Sequence, residues 1–201
     1  MPNQSSYDQM HHQDGSGPVP MTQKRPVSNV ALGNRMTWSV WLWLVWLLPL
    51  VVIAIKVGAP GGSEKLFIML MAPIVVVLCG LLGWLPRFVL KKRGFRYSPS
   101  SVSAVFAVHW WSLSLCVLGI GGADHQGPIP SPLDMVLPFL GGEIGGAVVR
   151  LSMGATGLSY GVLILLAVWT PLGAQQRRAS WAVWLAVAVT PLILIGLGAL
   201  I

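Results

Sequence analysis

Five long apolar blocks, at 38–55, 66–85, 101–120, 154–170 and 181–201, leave this chain few ways to fold. The hydrocarbon core of a bilayer is about 30 Å thick, so a helix rising about 1.5 Å per residue needs about 20 residues to cross it. Each block approaches that length. A lipid-exposed segment must satisfy its own backbone hydrogen bonds, which admits only helices and closed barrels. The blocks are continuous rather than alternating, which selects helices. The expected fold is therefore an all-α integral membrane protein. It is a bundle of about five transmembrane helices with an outer interfacial or re-entrant helical element.

Charge supports lipid as the solvent. Only 9% of the 201 residues are charged, against about 25% in a soluble domain. The net charge of +7 raises nucleic acid as a partner. The basic residues, however, sit in short segments flanking apolar blocks, which is a mark of membrane orientation, and nucleic acid is set aside. Cys79 and Cys116 both fall inside apolar blocks at different depths, and read as small buried hydrophobes rather than a disulfide pair.

Residues 1–35 are polar and rich in Gln, Ser, Gly and Pro, too poor in apolar surface to offset the entropy of ordering, and are expected to be a disordered tail. The membrane domain is 36–201. The first block exceeds a signal-peptide core in length, and its one small-residue site, Val57-Gly58-Ala59, precedes Pro60, so no cleavage is expected. Pro99-Ser100-Ser101 and Ser180 supply helix starts.

With the tail in the cytoplasm, the inner side receives Lys24, Arg25, Arg35, Arg87, Lys91, Lys92, Arg93, Arg96, Arg177 and Arg178. Only Lys56, Lys65 and Arg150 of the 13 basic residues fall outside. The positive-inside rule favours that split, which puts the amino terminus inside and the carboxyl terminus outside; a plasma membrane is the simplest setting. Trp38, Trp41, Trp84, Trp169, Trp181 and Trp184 then fall near the inner boundary, suited to hold indole N–H groups among the headgroups.

The stretch 121–153 is long for a loop. Ser131-Pro132-Leu133-Asp134 has the chemistry of a helix start: Ser as cap, Pro in the first turn and an acid at the third position. Pro138 and the glycines from Gly141 to Gly146 interrupt it. A full span would bury Asp134, Glu143 and Arg150, each at about 2.5–3.5 kcal/mol near the bilayer centre. The expected arrangement is two short helices joined by a glycine hinge on the outer side. Trp38-Ser-Val-Trp41-Leu before Pro49 echoes Trp181-Ala-Val-Trp184-Leu before Pro191. Both would be inside-to-outside helices with the same anchoring needs.

Four groups of residues stand out for function. His109 is the ionisable side chain placed deep in a span, with Ser112, Ser114 and Cys79 as candidate polar neighbours. Such a residue carries a cost that marks either a proton or ligand site or a histidine packed against a hydroxyl or carbonyl. Asp124, His125, Asp134 and Glu143 share the outer loop and offer carboxylates and an imidazole. Their spacing matches no metal-ligand pattern, and solvated loop residues or helix caps are the plain reading. Arg87, Lys91, Lys92, Arg93 and Arg96 form a basic run with aromatic residues. It sets orientation, attracts anionic lipid headgroups or docks an acidic partner. Gly80 and Gly83, and Gly154, Gly157 and Gly161, have the spacing that lets helices approach closely, mostly within the chain.

No nucleophile elbow, phosphate-binding loop, dinucleotide fingerprint or zinc-protease motif occurs, and no cofactor or metal is implied. The leading expectation is a non-catalytic subunit, scaffold or assembly factor of a membrane complex, in contact with the bilayer and with other membrane proteins or itself. The alternatives are a small oligomeric transporter or channel component using His109, and an outer-surface or intramembrane enzyme.

Overall fold

The computed structural model describes residues 32–59, 64–124, 127–138, 141–172 and 180–200. Five long helices carry the fold: α1 (Leu32–Gly58), α2 (Glu64–Lys92), α3 (Ser100–Gly119), α5 (Gly141–Trp169) and α6 (Ser180–Leu200). All five are long and apolar enough to cross a membrane, and the chain is an all-α membrane bundle. Large apolar side chains such as Leu66, Phe67 and Leu70 face outward from it. In water that surface would aggregate; in a bilayer it is the ordinary lipid-facing coat.

The third helix is the axis of the bundle. Its most apolar window is 39% buried, against 17–22% for the other four, and it packs on α1, α5 and α6, while α2 lies outside against α1 and α5. At one end Trp41, Val45, Leu90, Phe95, Val102, Phe106 and Trp110 form a core with Leu163 and Ala167. At the other end Leu115 and Leu133 meet Val148 and Leu194.

Trp41 departs from its expected place among headgroups. It is fully buried, stacked on Phe106 with ring centroids 3.9 Å apart, and its indole N–H donates to the Gly83 carbonyl at 2.9 Å. A buried indole needs an acceptor for its one donor, and the close approach of α1 and α2 at Gly83 supplies it. Trp84, Trp169, Trp181 and Trp184 are exposed.

Two helix starts lie earlier than the apolar blocks imply. α1 begins at Leu32, so 32–35 belong to the bundle: Asn34 is fully buried and its amide donates to Ser100 Oγ at 2.9 Å. Hydropathy cannot find such a residue, because its polar side chain is held by one specific partner. The remainder of the expected tail, 1–31, lies outside the described residues. Ser100 spends its hydroxyl as that acceptor, and the cap position before α3 is Pro99, with no side-chain capping bond.

α5 begins at Gly141, not Gly154. The expected glycine hinge is instead the first turns of one continuous helix of 29 residues, roughly 43 Å long. Helical backbone bonds outweigh the cost of about 1 kcal/mol per glycine once neighbouring helices pack on it. Counting from Trp169, Arg150 lies roughly 28 Å along the axis, near the limit of a hydrocarbon core, and Glu143 lies beyond it.

Between α3 and α5 runs a short elaboration. Strands β1 (Gly122–Asp124) and β2 (Gly127–Ile129) pair antiparallel, with Gly122 opposite Ile129. Then comes α4 (Pro132–Val136). The hairpin is an addition to the all-helical expectation; strands of three residues are too short to leave a period in the sequence.

Candidate functional site

The described surface offers three places where chemistry or binding can occur: the polar groups inside the bundle, the elaboration between α3 and α5, and the cationic end of α2.

Inside the bundle, α3 turns His109 toward α5. Its Nδ1 lies 3.2 Å from the Thr156 carbonyl oxygen and 3.3 Å from Ser159 Oγ, and its ring sits beside Tyr160 with centroids 5.6 Å apart. With the Nδ1 proton in place, the ring donates to the carbonyl and ties two helices together. Tyr160 in turn donates to the Leu82 carbonyl at 3.1 Å, joining α5 to α2.

The four residues picked from the sequence as one polar site are not brought together. Cys79 and Ser114 line a small apolar cavity of about 70 Å³ with Leu48 and Trp110. Ser112 is fully buried, and its hydroxyl has no hydrogen-bond partner among the described residues. His109 lines neither this cavity nor the apolar groove of about 410 Å³ between α1, α3 and α6. Cys79 and Cys116 are both free thiols. Thr156, Ser159 and Tyr160 complete the His109 environment. They escaped sequence reading because a hydroxyl or a backbone carbonyl leaves no mark until two helices are docked.

In the elaboration, Ser131 caps α4 with a reciprocal box. Its hydroxyl accepts from the Asp134 N–H at 3.1 Å, and Asp134 Oδ2 accepts from the Ser131 N–H at 3.0 Å. Asp134 is thus consumed as a cap, and its other oxygen abuts Gly145 of α5, where a Cβ would crowd it. Glu143 lies exposed in the first turn of α5. Asp124 ends β1, and His125 lies outside the described residues. Among the described residues no three carboxylate, imidazole or thiol groups gather as metal ligands would.

The end of α2 is the most organised of the three. Gly94, at φ 86°, closes the helix in a left-handed turn. The Gly94 N–H donates to Lys91 O at 3.0 Å and the Phe95 N–H to Leu90 O at 3.1 Å, the paired bonds of a Schellman cap. Phe95 is thereby driven into the core beside Leu90. Around this cap lies an open groove of about 680 Å³, lined by Arg87, Lys91, Lys92 and Arg96 and by Trp38, Trp84, Phe88 and Phe95. The Arg87 guanidinium stacks over Trp38 at 4.8 Å and the Lys92 ammonium over Phe88 at 4.7 Å. Arg93 turns the other way, donating from Nη1 to the Ala167 carbonyl at 2.8 Å. It neutralises the last turn of α5, as a cation at a helix carboxyl end does. Lys56 plays a matching part at the opposite end, donating to the Ile120 carbonyl after α3.

The glycines divide by face. A Cβ on Gly80 would run into Trp46, and one on Gly83 into Val45, both of α1; Gly154, Gly157 and Gly161 have no atom of the described residues within 4 Å of such a Cβ. The first pair is where two helices of this chain touch, and the second set looks outward. Compared with known protein families, curated proteins and solved structures, the chain matches none of them.

Proposed function

We propose that this polytopic membrane protein acts as a non-catalytic subunit, a scaffold or assembly component that receives another transmembrane helix on the outward face of α5. The observation that carries this reading is the open face itself. Gly154, Gly157 and Gly161 meet no other helix among the described residues, while Met153 and Leu158 stand exposed beside them as ridges. In lipid, where apolar side chains gain nothing by leaving one hydrocarbon for another, small residues promote association by letting backbones come close. The polar groups of the spans supply the complementary argument, since His109, Tyr160 and Asn34 serve as ties between helices of the same chain.

The occupant is a membrane protein helix, from a partner or from a second copy of this chain. On this reading the basic end of α2 faces the cytoplasm of a plasma membrane, with the amino terminus inside and the carboxyl terminus outside. Crosslinking in native membranes followed by extraction in mild detergent tests the role. A stoichiometric partner or dimer should be recovered with the natural chain and lost with Gly157→Leu/Gly161→Leu. Recovery of a monomer alone from the natural chain would overturn it.

A further inference from the structure

We propose that the groove at the end of α2 is a binding site for the phosphate group of an anionic phospholipid. Four cations line it, and the acidic residues of the described chain belong to other parts of the fold. Glu64 starts α2 at its other end, Asp124 and Asp134 belong to the elaboration beyond the far end of α3, and Glu143 to the first turn of α5. Positive charge is therefore concentrated at this end of α2.

Arg87 gives the site its direction. Its guanidinium is held by the Trp38 ring, and Nη1 is buried without a hydrogen-bond acceptor among the described residues. A guanidinium donor removed from water and left unmatched is costly, and a phosphate oxygen is the acceptor that its planar fork fits best. Lys91 and Lys92 are exposed at the rim, the Lys92 ammonium resting over Phe88, and both add attraction for an anion. The Schellman cap at Gly94 holds the rim in one shape before any ligand arrives, so little ordering remains to be done on binding.

The walls say that the anion arrives on a lipid. Trp84 and Leu42 line the groove and are also exposed on the flanks of α2 and α1, so the cavity opens onto the surface that acyl chains cover. A soluble anion has no use for that apolar side; a phospholipid fills both parts at once. The site requires only that the long helices lie in lipid and does not depend on the subunit reading.

The test is native mass spectrometry of the full chain released from detergent, titrated with phosphatidylglycerol and, separately, with phosphatidylcholine. Phosphatidylglycerol adducts should dominate, and Lys91→Gln/Lys92→Gln, which alters only exposed side chains, should weaken them about fivefold for each cation removed. Arg87→Lys, which keeps the charge and loses the fork, should weaken them as well. Lys65→Gln, at the far end of α2, should leave them unchanged. Equal retention of both lipids, or an equal loss with Lys65→Gln, would overturn the site, as would displacement of the lipid by inorganic phosphate, which assigns the groove to a soluble anion. Gly157→Leu/Gly161→Leu should bind the lipid as the natural chain does, which separates this outcome from the association test.

Discussion

Each polar side chain inside these spans is expensive unless another group answers it, and several of them are answered by a different helix. Trp41 donates to Gly83 O, Asn34 to Ser100 Oγ, and His109 lies against Thr156 O and Ser159 Oγ. Hydrogen bonds of this kind inside helical membrane proteins average about 0.6 kcal/mol, because the separated helices also find partners. His109→Leu should therefore lower stability by about that amount, read as a small downward shift in thermal unfolding in detergent, and leave partner recovery intact. A large loss of assembly without a change in stability would instead assign His109 a role beyond packing. Trp41→Phe should cost more, about 1–3 kcal/mol, since it leaves a void beside Phe106 and removes the indole N–H that ties α1 to the Gly83 carbonyl of α2. Unfolding in a denaturing detergent titration measures the difference.

At the scale of the element, the same residue type has opposite uses on two helices. On α2, Gly83 is the point at which α1 presses closest, through Val45. Gly83→Leu should force the helices apart and destabilise by about 1–3 kcal/mol, the usual cost of overpacking. On α5, Gly157→Leu meets open space and should leave monomer stability within about 0.5 kcal/mol of the natural chain. Comparing the unfolding midpoints of the two variants tests the assignment of faces directly. The short α4 depends on its cap. Ser131→Ala removes the hydroxyl that accepts from Asp134 N–H and should cost about 1 kcal/mol, with hydrogen exchange quickened across Pro132–Val136 before any other helix.

Across the whole molecule, the placement of charge accounts for how the bundle is pinned at its two ends. At the α2 end, Arg93 reaches the carboxyl terminus of α5 while its neighbours line the groove; at the other end Lys56 reaches the carbonyl that follows α3. Both cations were legible in the sequence as markers of orientation, but their acceptors were not, since each lies more than sixty residues away. Arg93→Gln should lower stability by up to about 2 kcal/mol, given its partly buried geometry at a helix end, and the loss should be visible in thermal unfolding in detergent. Tags at the two termini, probed for access in intact cells and after permeabilisation, should report opposite compartments.

The five apolar blocks decided the five long helices, because a bilayer imposes a length and a hydrogen-bonding requirement that any sequence within it must meet by itself. The Ser131 cap was equally readable, since donor and acceptor stand three residues apart. The sequence could not decide which face of each helix meets which neighbour. The burial of Trp41, the grouping of Cys79 with Ser114 in a cavity that His109 does not line, the outward turn of the α5 glycines and the start of α5 at Gly141 all follow from how the helices dock. Docking depends on fitting side chains from distant parts of the chain against one another, and a helix that is apolar all round carries no record of that choice.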